Sequence, residues 1–149
     1  MSADRPAPRH LPPDGTAPAT IEALGVLSEA LETAEAARGH LYQFHRLTGA
    51  SDARLQEAVG QLREAGHDEL AQVLEHELVG RNVLEGRWTF QVVEEYDDGY
   101  YQVFQRLERR ARDELVAGRR HLKEAAMKEA TRSRGSAGHT ARPAGSGDE

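Results

Sequence analysis

Apolar residues recur at steps of three and four along the middle of the chain, which is the spacing of one face of an α-helix. The first stripe follows Thr20, a candidate N-cap, and precedes Gly49, a candidate C-terminal glycine. The sequence therefore predicts a first helix between these two residues. Its apolar positions are Leu24, Leu27, Leu31, Ala34, Leu41 and Phe44.

Two shorter stripes follow, separated by very short links. Ser51 or Asp52 would cap a second helix that closes at Gly66, and Asp68 would cap a third. Short links favour antiparallel neighbours, as in a helical bundle. The apolar positions of these helices are Leu55, Val59 and Leu62, then Leu70, Leu74 and Leu78.

From Asp68 the helical pattern continues to about Thr131 without a proline. We expect a break near 80–87, because Gly80 weakens a helix by ~1 kcal/mol relative to alanine and Asn82 followed by Glu85 fits a helix start. Whether 68–131 forms one helix or two stays open. The best strand candidate, 88–93, is short and its flanks continue the helical period, so helix is favoured there as well.

The ends of the chain have a different composition. Residues 1–19 hold five of the six prolines, and Leu11 is their one large aliphatic residue past Met1. Such a segment buries too little apolar surface to offset its ordering entropy. The last residues are rich in Gly, Ser and Ala. We predict an all-α fold: an antiparallel bundle of three to four helices over 20–131 with a long C-terminal helix, and disordered tails at 1–19 and 132–149.

Six of the eight aromatic residues fall between Trp88 and Phe104. On a helix they form two neighbouring stripes, a wider apolar face than a surface helix needs. A central bundle helix that touches two neighbours explains this face, and so does an aromatic pocket or a dimer surface. The candidate interaction residues here are Trp88, Tyr96, Tyr100, Tyr101 and Phe104.

Four carboxylates occur within five residues, at Glu94, Glu95, Asp97 and Asp98. They repel one another on a helix, so water and salt, arginines from another helix, or a divalent cation must offset their charge. Glu94 and Asp98 share one helix face, and oxygen ligands suit Mg²⁺, Ca²⁺ or Mn²⁺.

No metal site is favoured by the wider sequence. A carboxylate di-iron bundle needs two Glu-x-x-His motifs, and this chain has one, at Glu64 and His67. The remaining candidate metal ligands are Glu94, Asp98, His40 and His45.

Charge divides the chain unevenly. Residues 20–105 carry 6 Arg against 16 acidic residues, whereas 106–134 carry 8 Arg and 2 Lys against 5 acidic residues. The basic helical extension, 106–131, would form a solvated helix with ion pairs or dock on an acidic surface such as a second copy. Nucleic-acid contact through 106–134 is disfavoured, because acids are interspersed and no aromatic lies there. The basic interaction candidates are Arg109, Arg110, Arg119 and Arg120.

Several classes of function lose support. Without cysteine the chain forms no disulfide, thiolate zinc site or iron–sulfur cluster. P-loop, G-x-G-x-x-G and G-x-S-x-G motifs are absent, so no catalytic residue is assigned. No apolar run spans a bilayer and no secretory signal is visible, which predicts a cytoplasmic protein without a membrane partner.

One stretch carries a resemblance: ELVGRNVLEGRWTFQVVEEYDD at 77–98, together with 17 arginines against two lysines. Over about residues 24–105 the chain resembles small uncharacterised helical proteins of high-GC Gram-positive bacteria. The resemblance implies no activity, cofactor or site.

The sequence as a whole favours a non-enzymatic interaction or scaffold protein that needs no cofactor. It would self-associate, or bind a protein partner, through the aromatic helical face. The alternative is a metal- or small-ligand-binding helical bundle, including an enzyme, that uses the carboxylates at 94–98.

Overall fold

A computed structural model of the chain describes residues 4–145, and every regular element in this range is helical. The only β-type pairing among these residues is an isolated bridge between Leu84 and Arg87. The prediction of an all-α fold is confirmed. No helix in the described part combines the length and the apolar character needed to cross a bilayer. The elements are a 3-10 helix Pro8–His10, α1 Pro18–Glu64, α2 Asp68–Glu77, α3 Thr89–Tyr96, a π-helical turn Asp97–Tyr101, α4 Gln102–Val116 and α5 Leu122–Thr131.

The longest helix is α1, with 47 residues, so the prediction of a long C-terminal helix is wrong. The predicted end of the first helix at Gly49 is wrong too, because α1 continues through this residue. Gly49 has no positive φ, and a single glycine costs a helix only ~1 kcal/mol relative to alanine. Its neighbours are mostly good helix formers, so that cost does not end the helix.

The other predicted boundaries agree better with the structure. Gly66, at φ +86°, lies in the turn between α1 and α2, as expected for a glycine that ends a helix. The predicted break near 80–87 is confirmed, because α2 ends at Glu77 and α3 begins at Thr89. A second break falls at Ala117 and Gly118, both with positive φ, so 68–131 is not one helix.

The chain divides into two compact units. The central unit comprises Ala34–Gln102, and the terminal unit comprises Met1–Thr33 and Val103–Glu149. In the terminal unit a small apolar core of Leu24, Val116 and Leu122 is packed against Ile21 and Ala111. In the central unit the buried apolar residues are Val59, Ala71 and Val93.

Polar contacts fix the hairpin of the central unit. Arg63 on α1 pairs with Glu75 on α2, on either side of the Gly66 turn. Farther from this turn, the backbone N–H of Gly80 donates a hydrogen bond of 3.1 Å to the carboxylate of Asp52. These two contacts orient the second part of α1 and the segment from α2 to Gly80 as antiparallel neighbours.

Parts of both predicted tails contact the terminal unit. Ala7 is buried, and Arg132, whose side chain is also buried, pairs with Glu129 and Asp4. The Nε of Arg142 donates a hydrogen bond of 2.8 Å to the carbonyl oxygen of Arg5. The flexibility of 1–19 and 132–149 stays a prediction, and residues 1–3 and 146–149 lie outside the described residues.

Replacing Gly49 by alanine should raise the free energy of unfolding by about 0.5–1 kcal/mol, because alanine stabilises a helix interior. Gly66→Ala is the matched control and should lower it by about 1 kcal/mol, because alanine resists a positive φ. Neither new methyl group would meet another atom within 4 Å, so packing does not confuse the comparison. Urea unfolding measures the effect of both substitutions on stability. Destabilisation by Gly49→Ala would show that the first helix does end at Gly49.

Candidate interaction surface

The aromatic block begins at the turn that leads into α3. Trp88 is 49% exposed, and its indole N–H donates a hydrogen bond of 3.0 Å to the carbonyl oxygen of Gly80. The side-chain oxygen of Gln91 accepts a hydrogen bond of 2.8 Å from the backbone N–H of Trp88, and this bond caps the first turn of α3. Phe90 is 50% exposed. Two large aromatic side chains at the start of α3 therefore reach solvent from a fixed backbone.

The end of α3 and the π-helical turn continue this block with three tyrosines. The ring of Tyr96 is stacked on Tyr101 at 6.3 Å between centroids and lies 5.8 Å from Tyr100. Tyr96 and Tyr101 are half-buried, whereas Tyr100 is 61% exposed. The structure thus brings Trp88, Tyr96, Tyr100 and Tyr101 into the central unit. Phe104, the fifth aromatic candidate, belongs to the terminal unit.

An arginine of α1 anchors the π-helical turn. The guanidinium of Arg38 donates two hydrogen bonds to the carboxylate of Asp97, at 2.6 and 2.8 Å, a bidentate geometry. It also lies over the rings of Tyr42 and Tyr101, at 5.5 and 5.4 Å from their centroids. Hydrogen bonding to Arg38 lowers the pKa of Asp97. An arginine from another helix therefore offsets part of the acidic cluster.

The remaining contacts of this region are also polar. The hydroxyl of Tyr101 donates a hydrogen bond of 3.1 Å to Glu35, and burial together with this bond raises the pKa of Tyr101. Arg87 pairs with Glu95 at 2.6 Å. π-helical turns are frequent at functional sites. The Arg38–Asp97 contact holds this turn in place, so the turn is the best-defined part of the candidate surface.

The four candidate metal ligands are not brought together as a site. Glu94, Asp98 and His40 are exposed. The Nδ1 of His45 lies 2.7 Å from the hydroxyl of Thr89, and its ring meets Tyr42 edge-on. Across residues 4–145, no three His, Asp or Glu side chains are placed to hold a metal ion.

The four basic candidates all lie in the terminal unit. Arg110 pairs with Glu114 on the same helix at 2.6 Å. Arg119 donates a hydrogen bond to the carbonyl oxygen of Leu11. Arg109 and Arg120 are exposed. The basic candidates therefore share a unit with Phe104 but not with the other four aromatic candidates.

Exposed apolar residues outside the aromatic block were missed in the sequence. Phe44 was assigned to the apolar stripe of the first helix, yet it is 47% exposed, and Leu47 one turn later is 59% exposed. On α2, Leu70 and Val73 are also exposed. The spacing of three residues in each pair was the available signal, because it places both members on one helix face.

Comparisons with known proteins give no relative from which a function could be inferred. No family model, no curated protein and no solved structure matches this chain.

Proposed function

We propose that the chain is a non-enzymatic interaction or scaffold protein that self-associates through the central unit. The observation that carries the proposal is an imbalance in this unit between exposed and buried apolar residues. Eleven large apolar side chains are exposed, whereas three apolar residues are buried. Large exposed apolar areas on soluble proteins commonly mark interaction sites. The exposed residues are Tyr42, Phe44, Leu47, Leu70, Val73, Leu78, Val83, Leu84, Trp88, Phe90 and Tyr100.

A second copy is the partner that fits this imbalance best. Phe44 with Leu47 on α1, and Leu70 with Val73 on α2, form short apolar ridges on two helices. A second copy presents the same ridges, so a two-fold arrangement would pack helix against helix and bury both sets at once. We propose that two copies complete an antiparallel helical bundle in this way.

Charge supports contact between unlike parts of two copies. The central unit has 6 arginines against 13 acidic residues, a net charge of −7. Two such units repel each other, whereas residues 106–134 of a second copy, with a net charge of +5, would attract one. The proposal therefore assigns encounter to the basic extension and the stable contact to the apolar residues.

The double variant Phe44→Glu/Leu47→Glu tests the proposal. Carboxylates at an apolar interface would be buried without partners, so we expect the variant to stay monomeric, with a molar mass of 16.4 kDa. Val26→Glu is the matched control, since Val26 is a similarly exposed apolar residue of α1 in the terminal unit. It should keep the native mass in light scattering.

Circular dichroism on both proteins confirms that the helices are intact. The proposal is wrong if the double variant keeps the native mass, or if Val26→Glu dissociates the protein to the same extent.

A further inference from the structure

A cavity of about 430 Å³ lies in the terminal unit, at the connection between α4 and α5. The 3-10 helix Pro8–His10 supplies its other side. Every titratable residue that lines it is basic, and no carboxylate is among its lining residues. The lining is Arg9, His10, Ala117, Gly118, Arg119, Arg120 and His121.

Within the described part of the chain, no carboxylate pairs with the arginines of this cavity. Among residues 4–145, no carboxylate lies within 4.0 Å of the guanidinium groups of Arg9, Arg119 or Arg120. Some other arginines of the terminal unit are paired, for example Arg110 with Glu114 and Arg112 with Glu108. The acceptor of Arg119 is a neutral carbonyl oxygen. Three guanidinium groups around one cavity repel one another unless an anion joins them.

The pKa of His10 is lowered by burial and by the same positive charges. Burial lowers the pKa of His10, and the positive charges of Arg9, His121, Lys128 and Arg120 lower it further. Among the described residues, the carboxylate of Glu124 lies 3.8 Å from the Nδ1 of His121. Positive charges from the 3-10 helix and from the segment between α4 and α5 therefore lie around the cavity.

The loop that carries the basic side chains is held in a defined conformation. Ala117 and His121 have positive φ angles of 54° and 58°, which are uncommon for residues other than glycine. The N–H of Gly118 donates a hydrogen bond of 3.0 Å to the carbonyl oxygen of Arg112. In return, the guanidinium of Arg112 donates one of 3.2 Å to the carbonyl oxygen of Gly118. These two hydrogen bonds hold the loop against α4.

A second cavity adjoins the first and is of different character. It measures about 300 Å³ and shares His10 and His121 with the basic cavity. Much of its remaining wall is apolar, from Pro6, Ala125, Ala141 and Pro143, and the wall also includes the charged residues Glu124, Lys128 and Glu129. A ligand with an anionic end and an apolar body would match the two cavities together.

We propose that the basic cavity binds the phosphate group of a small phosphomonoester whose apolar body lies in the adjoining cavity. Arginine pairs with phosphate through parallel hydrogen bonds, and a phosphomonoester carries a charge of about −1.5 to −2 at neutral pH. Both cavity volumes fall within or at the edge of the usual range for small-molecule sites, roughly 300–1,000 Å³. Every residue involved belongs to the terminal unit, whereas the apolar residues of the proposed contact between copies belong to the central unit.

The full chain should be titrated with phenyl phosphate, inorganic phosphate and phenol, with amide chemical shifts as the readout. We expect saturable shifts at residues 9–10 and 117–121, tighter binding of phenyl phosphate than of inorganic phosphate, and no binding of phenol. Arg9→Gln and Arg120→Gln should each raise the Kd at least about tenfold, since a charged hydrogen bond is lost. Arg106→Gln, an exposed arginine of the same unit, is the matched control and should leave the Kd within about twofold.

Three outcomes would overturn the proposal. The first is the absence of saturable shifts at these residues with phenyl phosphate up to about 10 mM. The second is equal weakening by Arg106→Gln and Arg120→Gln, which would show diffuse charge attraction only. The third is a single-stranded oligonucleotide that binds far more tightly than phenyl phosphate and depends equally on Arg106 and Arg120, which would indicate a nucleic-acid surface.

Discussion

Replacing Glu108 by glutamine should lower the free energy of unfolding by about 2–3 kcal/mol, because it leaves the poorly exposed guanidinium of Arg112 without its counter-charge. Glu108 is a buried charged residue, at 5% exposure. Arg112 donates hydrogen bonds of 2.7 and 3.0 Å to its carboxylate, and the hydroxyl of Ser28 donates one of 2.9 Å. Arg112 keeps some contact with water, which places the cost below that of a fully buried pair.

Stability should also depend on acid pH through Glu108. Burial raises the pKa of its carboxyl, but hydrogen bonds from Arg112 and Ser28 outweigh burial, and the pKa lies below its ordinary value of 4.5. A carboxyl with a lowered pKa in the folded state stabilises the fold above its unfolded pKa, and this contribution is lost as the pH falls through the folded pKa. Urea unfolding between pH 7 and pH 3 should show a smaller decline for Glu108→Gln than for the native chain.

Glu114→Gln is the matched control for Glu108→Gln. Glu114 lies on the same helix and pairs with Arg110 four residues away, but both side chains are exposed. Exposed pairs of this kind contribute about 0.3–0.5 kcal/mol. Equal losses for the two variants would contradict a buried, stabilising pair at Glu108.

Leu24→Ala should lower the free energy of unfolding by about 2–3 kcal/mol, near the lower end for a buried leucine, because a small core can partly collapse around the lost volume. Leu24 belongs to the apolar core of the terminal unit with Val116 and Leu122. Val26→Ala, two residues along α1 at a 53% exposed position, should change stability by less than about 0.5 kcal/mol. Chemical unfolding at neutral pH measures the free energy of unfolding of both variants. A loss below about 1 kcal/mol for Leu24→Ala would show that this core does not stabilise the terminal unit.

The helical fold could be predicted from the sequence, but not every helix boundary, and the end expected at Gly49 shows why. Gly49 and Gly66 both precede residues that commonly cap helices, and only Gly66 adopts a positive φ. The carboxylate of Asp52, one of the two expected caps, instead accepts a hydrogen bond from the N–H of Gly80, 28 residues away. Such a contact depends on the tertiary fold, so local pattern alone does not separate the two glycines.

Each candidate site combines residues that a local sequence pattern reveals with residues that lie far away in the sequence. The aromatic block was visible in the sequence, whereas the partner of Asp97, Arg38, lies 59 residues away on α1. Arg119 and Arg120 were recognised as basic candidates. Arg9 and His10, which complete their cavity, lie in a proline-rich segment that composition assigned to a flexible tail.

The most direct test of the account is the molar mass of the native chain in solution, measured by sedimentation equilibrium over a range of concentrations. Self-association through the central unit predicts a mass of at least twice 16.4 kDa at the higher concentrations. A mass of 16.4 kDa at every concentration up to about 1 mM, the range of weak association, would contradict the claim that a second copy covers the exposed apolar residues.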